Sequence, residues 1–355
     1  MNNKQHIWLI WYGVFLILAL IIVWVTPNLL PSLLIAIVSY YFLNPFVKRF
    51  QRAGLSHQWS VNLVFFGMGV VILGLLLLIA PLLWDEANDF FRMLPQISRT
   101  FLVTVQSTLS RFEDAIGYKI PTSWLNELPP LLLKVASWLG GQIPNWIGQS
   151  AIILFLAPLL TFFFLKEAPS YFRILQLNKL APLWQERILI LTEALDAQIG
   201  GFIRARILES LIVGSLTWLG LLVIGLPFSL LLGALAGILN IIPYVGPIAA
   251  FAPSAILALT TTEPLWNLML TTFIYGVVQA IDSFVLIPFF VGRIVNLHPL
   301  LVIISILLGA HLSGILGMII SIPIAGMIKV TLYYVTQWID DTPLSGSLSQ
   351  TKPQQ

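Results

Sequence analysis

The stretch from Phe228 to Leu259 holds 32 residues, nearly all apolar, and it is interrupted once, at Asn240-Ile241-Ile242-Pro243-Tyr244-Val245-Gly246-Pro247. As a straight helix it would reach about 48 Å, against a hydrocarbon core of roughly 30 Å. That is too long for one upright span. Two prolines and a glycine fall at its middle, where a helix loses amide donors and gains φ freedom. Lipid does not tolerate irregular backbone, so such a break must face protein or a water-filled cavity. Discontinuous helices of this kind build substrate sites in secondary transporters. A second run, from Pro299 to about Ile328, breaks at Gly309-Ala310-His311-Leu312-Ser313-Gly314. Each half-run is about 15 residues, or about 22 Å of helix, which is too short to cross but suits a re-entrant hairpin.

Composition sets the broad class. Hydrophobic residues make up 58% of the chain and charged residues only 9%, where soluble domains carry about 25% charged. A polytopic α-helical membrane protein follows. An outer-membrane barrel is excluded, because barrel strands alternate in short segments and these runs are continuous. The net charge of +3 does not point to nucleic acid, since the basic residues sit in short loops and set topology. With no cysteine in the chain, disulfides, thiolate catalysis and zinc–thiolate sites are absent.

The segments follow in order. Residues 1–84 hold three transmembrane helices: Ile7–Val25, a second from the Pro27–Pro31 turn to about Phe46, and a third over Ser60–Trp84. The first is read as a helix and not a signal peptide, because Lys4 alone forms its charged flank and no small-residue cleavage pattern closes it. Lys48-Arg49-Phe50-Gln51-Arg52 is the densest basic loop and is placed in the cytoplasm, which puts the N-terminus there too. Residues 85–145 carry five basic and six acidic residues, as suits an external segment. Within it Phe90, Leu94, Ile97, Phe101, Val105, Leu109, Phe112 and Ile116 recur at helical steps, so an amphipathic helix is expected. Helix four, within 146–165, returns inward. Residues 166–206 are expected to be a cytoplasmic amphipathic helix, with Arg204 and Arg206 anchoring the next span. The core, 207–339, contains helix five (Ile207–Gly225), the first broken run, helix seven (about Leu265–Val291) and the second broken run. The tail, 340–355, is rich in Ser, Gln and Pro and is expected to be disordered.

The expected fold is therefore an all-α membrane protein of about eight hydrophobic segments. Two of them are read as re-entrant hairpins in an inverted repeat, alongside one external helical segment. If both broken runs were tilted single spans instead, Glu263 would lie inside and Arg293 outside, which the positive-inside rule disfavours. Both versions leave both termini in the cytoplasm.

Asp282 is the one acid placed well inside a span of the core, and intramembrane acids mark ion, proton or substrate paths. Its structural alternative is a carboxylate satisfied by backbone or a nearby Ser. Gln279, three residues earlier, would share its helical face. Asn240, Pro243, Tyr244, Gly246 and Pro247 at the first break, and His311 and Ser313 at the second, complete the candidate substrate or ion path. The alternative there is a pair of turns with no ligand.

The stretch Ile224-Gly225-Leu226-Pro227 and Leu232-Gly233-Ala234 through Pro247 resembles the signature of the autoinducer-2 exporter family of bacterial membrane proteins. Asp282-Ser283-Phe284-Val285-Leu286-Ile287-Pro288, Gly292-Arg293, Leu297-His298-Pro299, Gly309, Gly314, Gly317 and Pro323 follow the same pattern. The resemblance implies a homo-oligomeric transporter of the bacterial inner membrane, with a small polar substrate such as the quorum signal autoinducer-2. It also implies H+ or Na+ coupling, with cation/proton antiport as the alternative activity. No cofactor, catalytic residue or metal site is expected. An intramembrane enzyme finds no motif, and no Walker loop suggests ATP coupling. A non-transporting scaffold would not need two costly breaks.

Overall fold

The computed structural model describes residue 26, residues 29–117, 130, 134, 152–167, 182–242, 245–291 and 297–340. Helix one, most of 118–151, Pro243, Tyr244, Arg293 and the tail beyond Asp340 lie outside the described residues. The described elements are all helical. They are α1 (Leu29–Arg52), α2 (His57–Ile116), α3 (152–167), α4 (Pro182–Val223), α5 (Ser229–Leu239), α6 (Val245–Ala258), α7 (Pro264–Ile281) with a π-helical continuation Asp282–Val291, and α8 (Pro299–Asp340). Among the described residues, five helices are long and apolar enough to cross a bilayer, and three shorter apolar helices accompany them. The chain divides into two units: one holds α1–α3 and residues 210–279, the other residues 169–209 and everything from Ala280 onward.

In the first unit, α1 ends in Arg49 and Arg52, which suit the negative end of the helix dipole. Gly54, at φ +98°, turns the chain. The Ser56 hydroxyl then caps α2 by accepting the Trp59 amide. His57 ties the start of α2 to its neighbours, with one ring nitrogen 2.7 Å from Gln51 Nε2 and the other 3.0 Å from the Lys166 carbonyl. Leu43, Val47, Val61, Val64 and Leu165 form the core beneath, closed by Phe65 against Phe162.

α2 is continuous for 60 residues, about 90 Å. The expected boundary between a third span and a separate external helix at 84/85 is not a break. Hydropathy changes there, but a helix has no reason to stop where the hydrocarbon does. The amphipathic stretch beyond it presents a packing face, with Ile97 and Phe101 buried. Gly117, at φ +72°, ends the helix by donating to the Glu113 carbonyl. The boundary expected at 206/207 is likewise crossed without interruption, by α4.

α4 stops as the sequence suggests, at Gly225. That residue adopts φ +71°, its amide donates to the Leu222 carbonyl and the Leu226 amide to that of Leu221, and Leu221 and Leu226 bury together. α5 begins at Phe228, whose φ is +58° and which supplies no side-chain cap. The cap comes from α2: the Glu86 carboxylate accepts the Leu231 amide at 2.7 Å, and Phe90 stacks edge-on against Phe228. α5 packs closely because Gly214 faces Gly233 and Gly237, where a Cβ would lie 3.0 Å from backbone. α5 gives way to a turn at 240–242, and α6, which packs against α5, begins at Val245. Gly246 sits so close to the Leu239 carbonyl that a Cβ there would collide with it. α7 clasps α6 through the Tyr275 hydroxyl, 2.8 Å from Ser254 Oγ and 3.0 Å from the Ala250 carbonyl.

In the second unit, His298 caps α8 by accepting the Leu300 amide. α8 does not run straight. A Cβ on Gly309 would collide with the Gly317 carbonyl and lie 2.9 Å from Ser321 Cβ. In a straight helix Gly309 and Ser321 would be about 18 Å apart. The chain therefore doubles back between them, around Gly314 at φ +58°. The returning arm meets the first part of α4 at two places. Arg187 stacks on the rings of Trp184 and Trp338, and Gly326 lies under Gln198.

Candidate functional site

α4 carries Arg206 and Glu209 one turn apart, a spacing that places them on one face. They form an ion pair, with Arg206 Nη1 2.5 Å from Glu209 Oε1. Both are buried, Glu209 completely. Asp282 opens the π-helical turn and is buried too, within the electrostatic reach of both Glu209 and Arg206. The second oxygens, Glu209 Oε2 and Asp282 Oδ1, are buried with no hydrogen-bond partner among the described residues. Two carboxyl groups and one guanidinium are neutral with one proton on a carboxyl group and carry one negative charge without it. The cluster therefore holds one exchangeable positive charge. Oxygen atoms left open in this way suit a proton or a small hard cation. Among the described residues no group of three or more His, Cys, Asp or Glu residues comes together.

The wider winding of the π-helical segment begins at Asp282 and accommodates Pro288, which has no amide to donate. Gln279 is exposed while Asp282 is buried, so the two do not share the surface that α-helical spacing predicts. The buried line instead runs through Val278, Asp282 and Leu286 at steps of four, one residue round the helix from Gln279.

Asn240 is buried in the first unit, where Gly246 is also buried and Pro247 half-buried. Pro243 and Tyr244 lie outside the described residues, as does the Ser313 side chain. His311 is exposed on α8. Sequence reasoning had Asp282 as the lone acid deep in a core span and gave Arg206 an anchoring role. Glu209 and Arg206 are instead two of the cluster's three members. The signal was present: an Arg-x-x-Glu step at the start of an apolar helix puts opposite charges where neither can reach water alone.

Comparison with known proteins agrees with this membrane architecture. A family described as "AI-2E family transporter" matches residues 14–337. PerM of Escherichia coli (strain K12), provisionally named a permease, is 29% identical over 329 residues, covering 88% of this chain and 89% of its own. YrrI of Bacillus subtilis (strain 168), provisionally named a transport protein, is 26% identical over 313 residues and 85% of both chains. TqsA of Escherichia coli (strain K12), named an AI-2 transport protein, is 25% identical over 301 residues and 84% of both. With a family match over nearly its whole length and several apolar helices of spanning length, the chain belongs to the AI-2E transporter family and is a membrane transport protein.

Proposed function

We propose that this chain is an ion-coupled secondary transporter of the bacterial inner membrane that exports a small polar molecule such as autoinducer-2. The observation that carries the reading is the buried Arg206–Glu209–Asp282 cluster, whose two carboxyl groups outnumber its one guanidinium and so call for one further positive charge. Buried charge in an apolar helical protein is costly, and it is retained where it gates a path. The two interrupted segments, α5–α6 and α8, serve as re-entrant hairpins whose freed backbone faces the substrate. Helix five with the first and helix seven with the second form the two halves of an inverted repeat. Both termini lie in the cytoplasm, and the protein works as a homo-oligomer. The similarity to TqsA, named an AI-2 transport protein, supports this substrate class at 25% identity.

A second reading, sodium/proton antiport, is favoured by the charge count of the same cluster. When the proton leaves, the two open carboxylate oxygens and the single uncompensated negative charge suit Na+.

Flux in proteoliposomes separates the readings. Purified protein is given autoinducer-2 or Na+ under an imposed pH gradient, alongside Asp282→Asn. Autoinducer-2 movement that is lost in the variant supports the exporter. Exchange of Na+ for protons without autoinducer-2 movement supports the antiporter. A variant equal to wild type in both would remove Asp282 from the mechanism.

A further inference from the structure

Arg187, Gln198 and Glu209 recur every 11 residues along α4. Eleven residues are about three helical turns, so the three side chains fall within about 40° of one another on a single face. The first two meet α8: Arg187 lies over the Trp338 ring and donates to its carbonyl, and Gln198 lies against Gly326. Residue numbers rise along α4 as they fall along α8, so the two run antiparallel. From Gln198 to Glu209 is about 16 Å of helix, and the same distance back from Gly326 reaches residues 314–315. Glu209 is therefore level with the point where α8 doubles back, at Gly314.

We infer that the turned-back tip of α8, residues 309–317, covers the Arg206–Glu209–Asp282 cluster and is its gate. This rests on the cluster being the ion site proposed above, and it adds the element that opens and closes it. The tip is built to move against a fixed base. The base is held by Arg187 between Trp184 and Trp338. Between base and tip lies Pro323, whose missing amide leaves a helical hydrogen bond unmade and gives the arm a place to bend. At the tip, a side chain on Gly314 would meet nothing within 4 Å, and Leu312 is 79% exposed. The close pass of Gly309 against Gly317 keeps the two strands of the tip together as it swings.

The chain has no native cysteine, which makes disulfide locking direct. Ala205→Cys, four residues before Glu209 on the same face, is paired in turn with Ile319→Cys and Ile320→Cys. Leu191→Cys with Tyr333→Cys, near the base, serves as control. Access to the buried carboxyl groups is read by labelling with a hydrophobic carbodiimide, assigned by its loss in Asp282→Asn and Glu209→Gln. The expected result is that both sets cross-link, that labelling is lost when the tip pair is oxidised, and that it returns on reduction, while the control pair leaves labelling unchanged. A control pair that links while both tip pairs fail overturns the register. Failure of all pairs overturns the pairing of α4 with α8. Tip pairs that link but leave labelling unchanged overturn the gate. Labelling does not require transport, so an absence of flux in proteoliposomes would count against the proposed function and leave this result standing.

Discussion

The two interrupted segments look alike in sequence and are held in different ways. The first, α5–α6, is pinned along its length. Glu86 and Phe90 of α2 hold its start, Gly214 lets α4 press against Gly233 and Gly237, and Tyr275 clasps Ser254 and Ala250. At its break, Gly246 touches the Leu239 carbonyl. The second, α8, is fixed at its base by the Arg187 stack and by Gln198, and its tip is open around Gly314. Equal interruptions of hydropathy thus give one segment braced by packing and one cantilevered from its base. A braced segment suits a fixed wall, and a cantilevered one suits motion.

Four substitutions sharpen or break that comparison. The largest effect is expected in the second unit from Arg206→Ala, which leaves two buried carboxyl groups without their cation. Breaking one side of a buried ion pair costs about 3–5 kcal/mol, and a fall in the unfolding midpoint in detergent would register it. Next is Gly246→Ala, where the added methyl meets backbone that cannot yield. The expected loss is about 1–3 kcal/mol, typical of overpacking. Gly314→Ala meets open space and suffers only the strain of a left-handed conformation, about 1–2 kcal/mol. If Gly314→Ala destabilised the protein more than Gly246→Ala, the contrast between braced and cantilevered segments would be lost. The smallest is Glu86→Ala, worth about 1 kcal/mol as a lost helix cap. Hydrogen exchange over 229–239 should quicken in that variant and stay slow in Glu86→Gln, whose side-chain carbonyl still accepts.

Much of this was legible in the residues. Pro243, Gly246 and Pro247 mark one interruption and Gly309 and Gly314 the other, because proline and glycine act locally on the backbone. The end of α4 at Gly225 was readable for the same reason. Helix boundaries at 84 and 206 were not, because hydropathy reports where lipid ends and a helix can continue into water. Within the candidate site, Asp282 was found from its isolation in an apolar run. Its partners were not, since pairing Glu209 with Asp282 joins residues far apart in the chain and no local pattern records that. Gln279 was misplaced because the buried line follows Val278, Asp282 and Leu286, and a residue three before Asp282 falls beside that line and not on it.

The length of α2 has a mechanical consequence. From Pro81 to Ile116 the helix extends about 50 Å. A change of about 10° in its bend at Pro81, within what a proline kink allows, sweeps its far end through about 9 Å. Glu86 and Phe90 sit close to that pivot, where the same rotation moves them by only about 1–2 Å. The helix is thus a lever with a long outer arm and a short inner one. A weak force at Ile116, applied by a partner or by crowding outside the membrane, would reach the start of α5 multiplied several-fold.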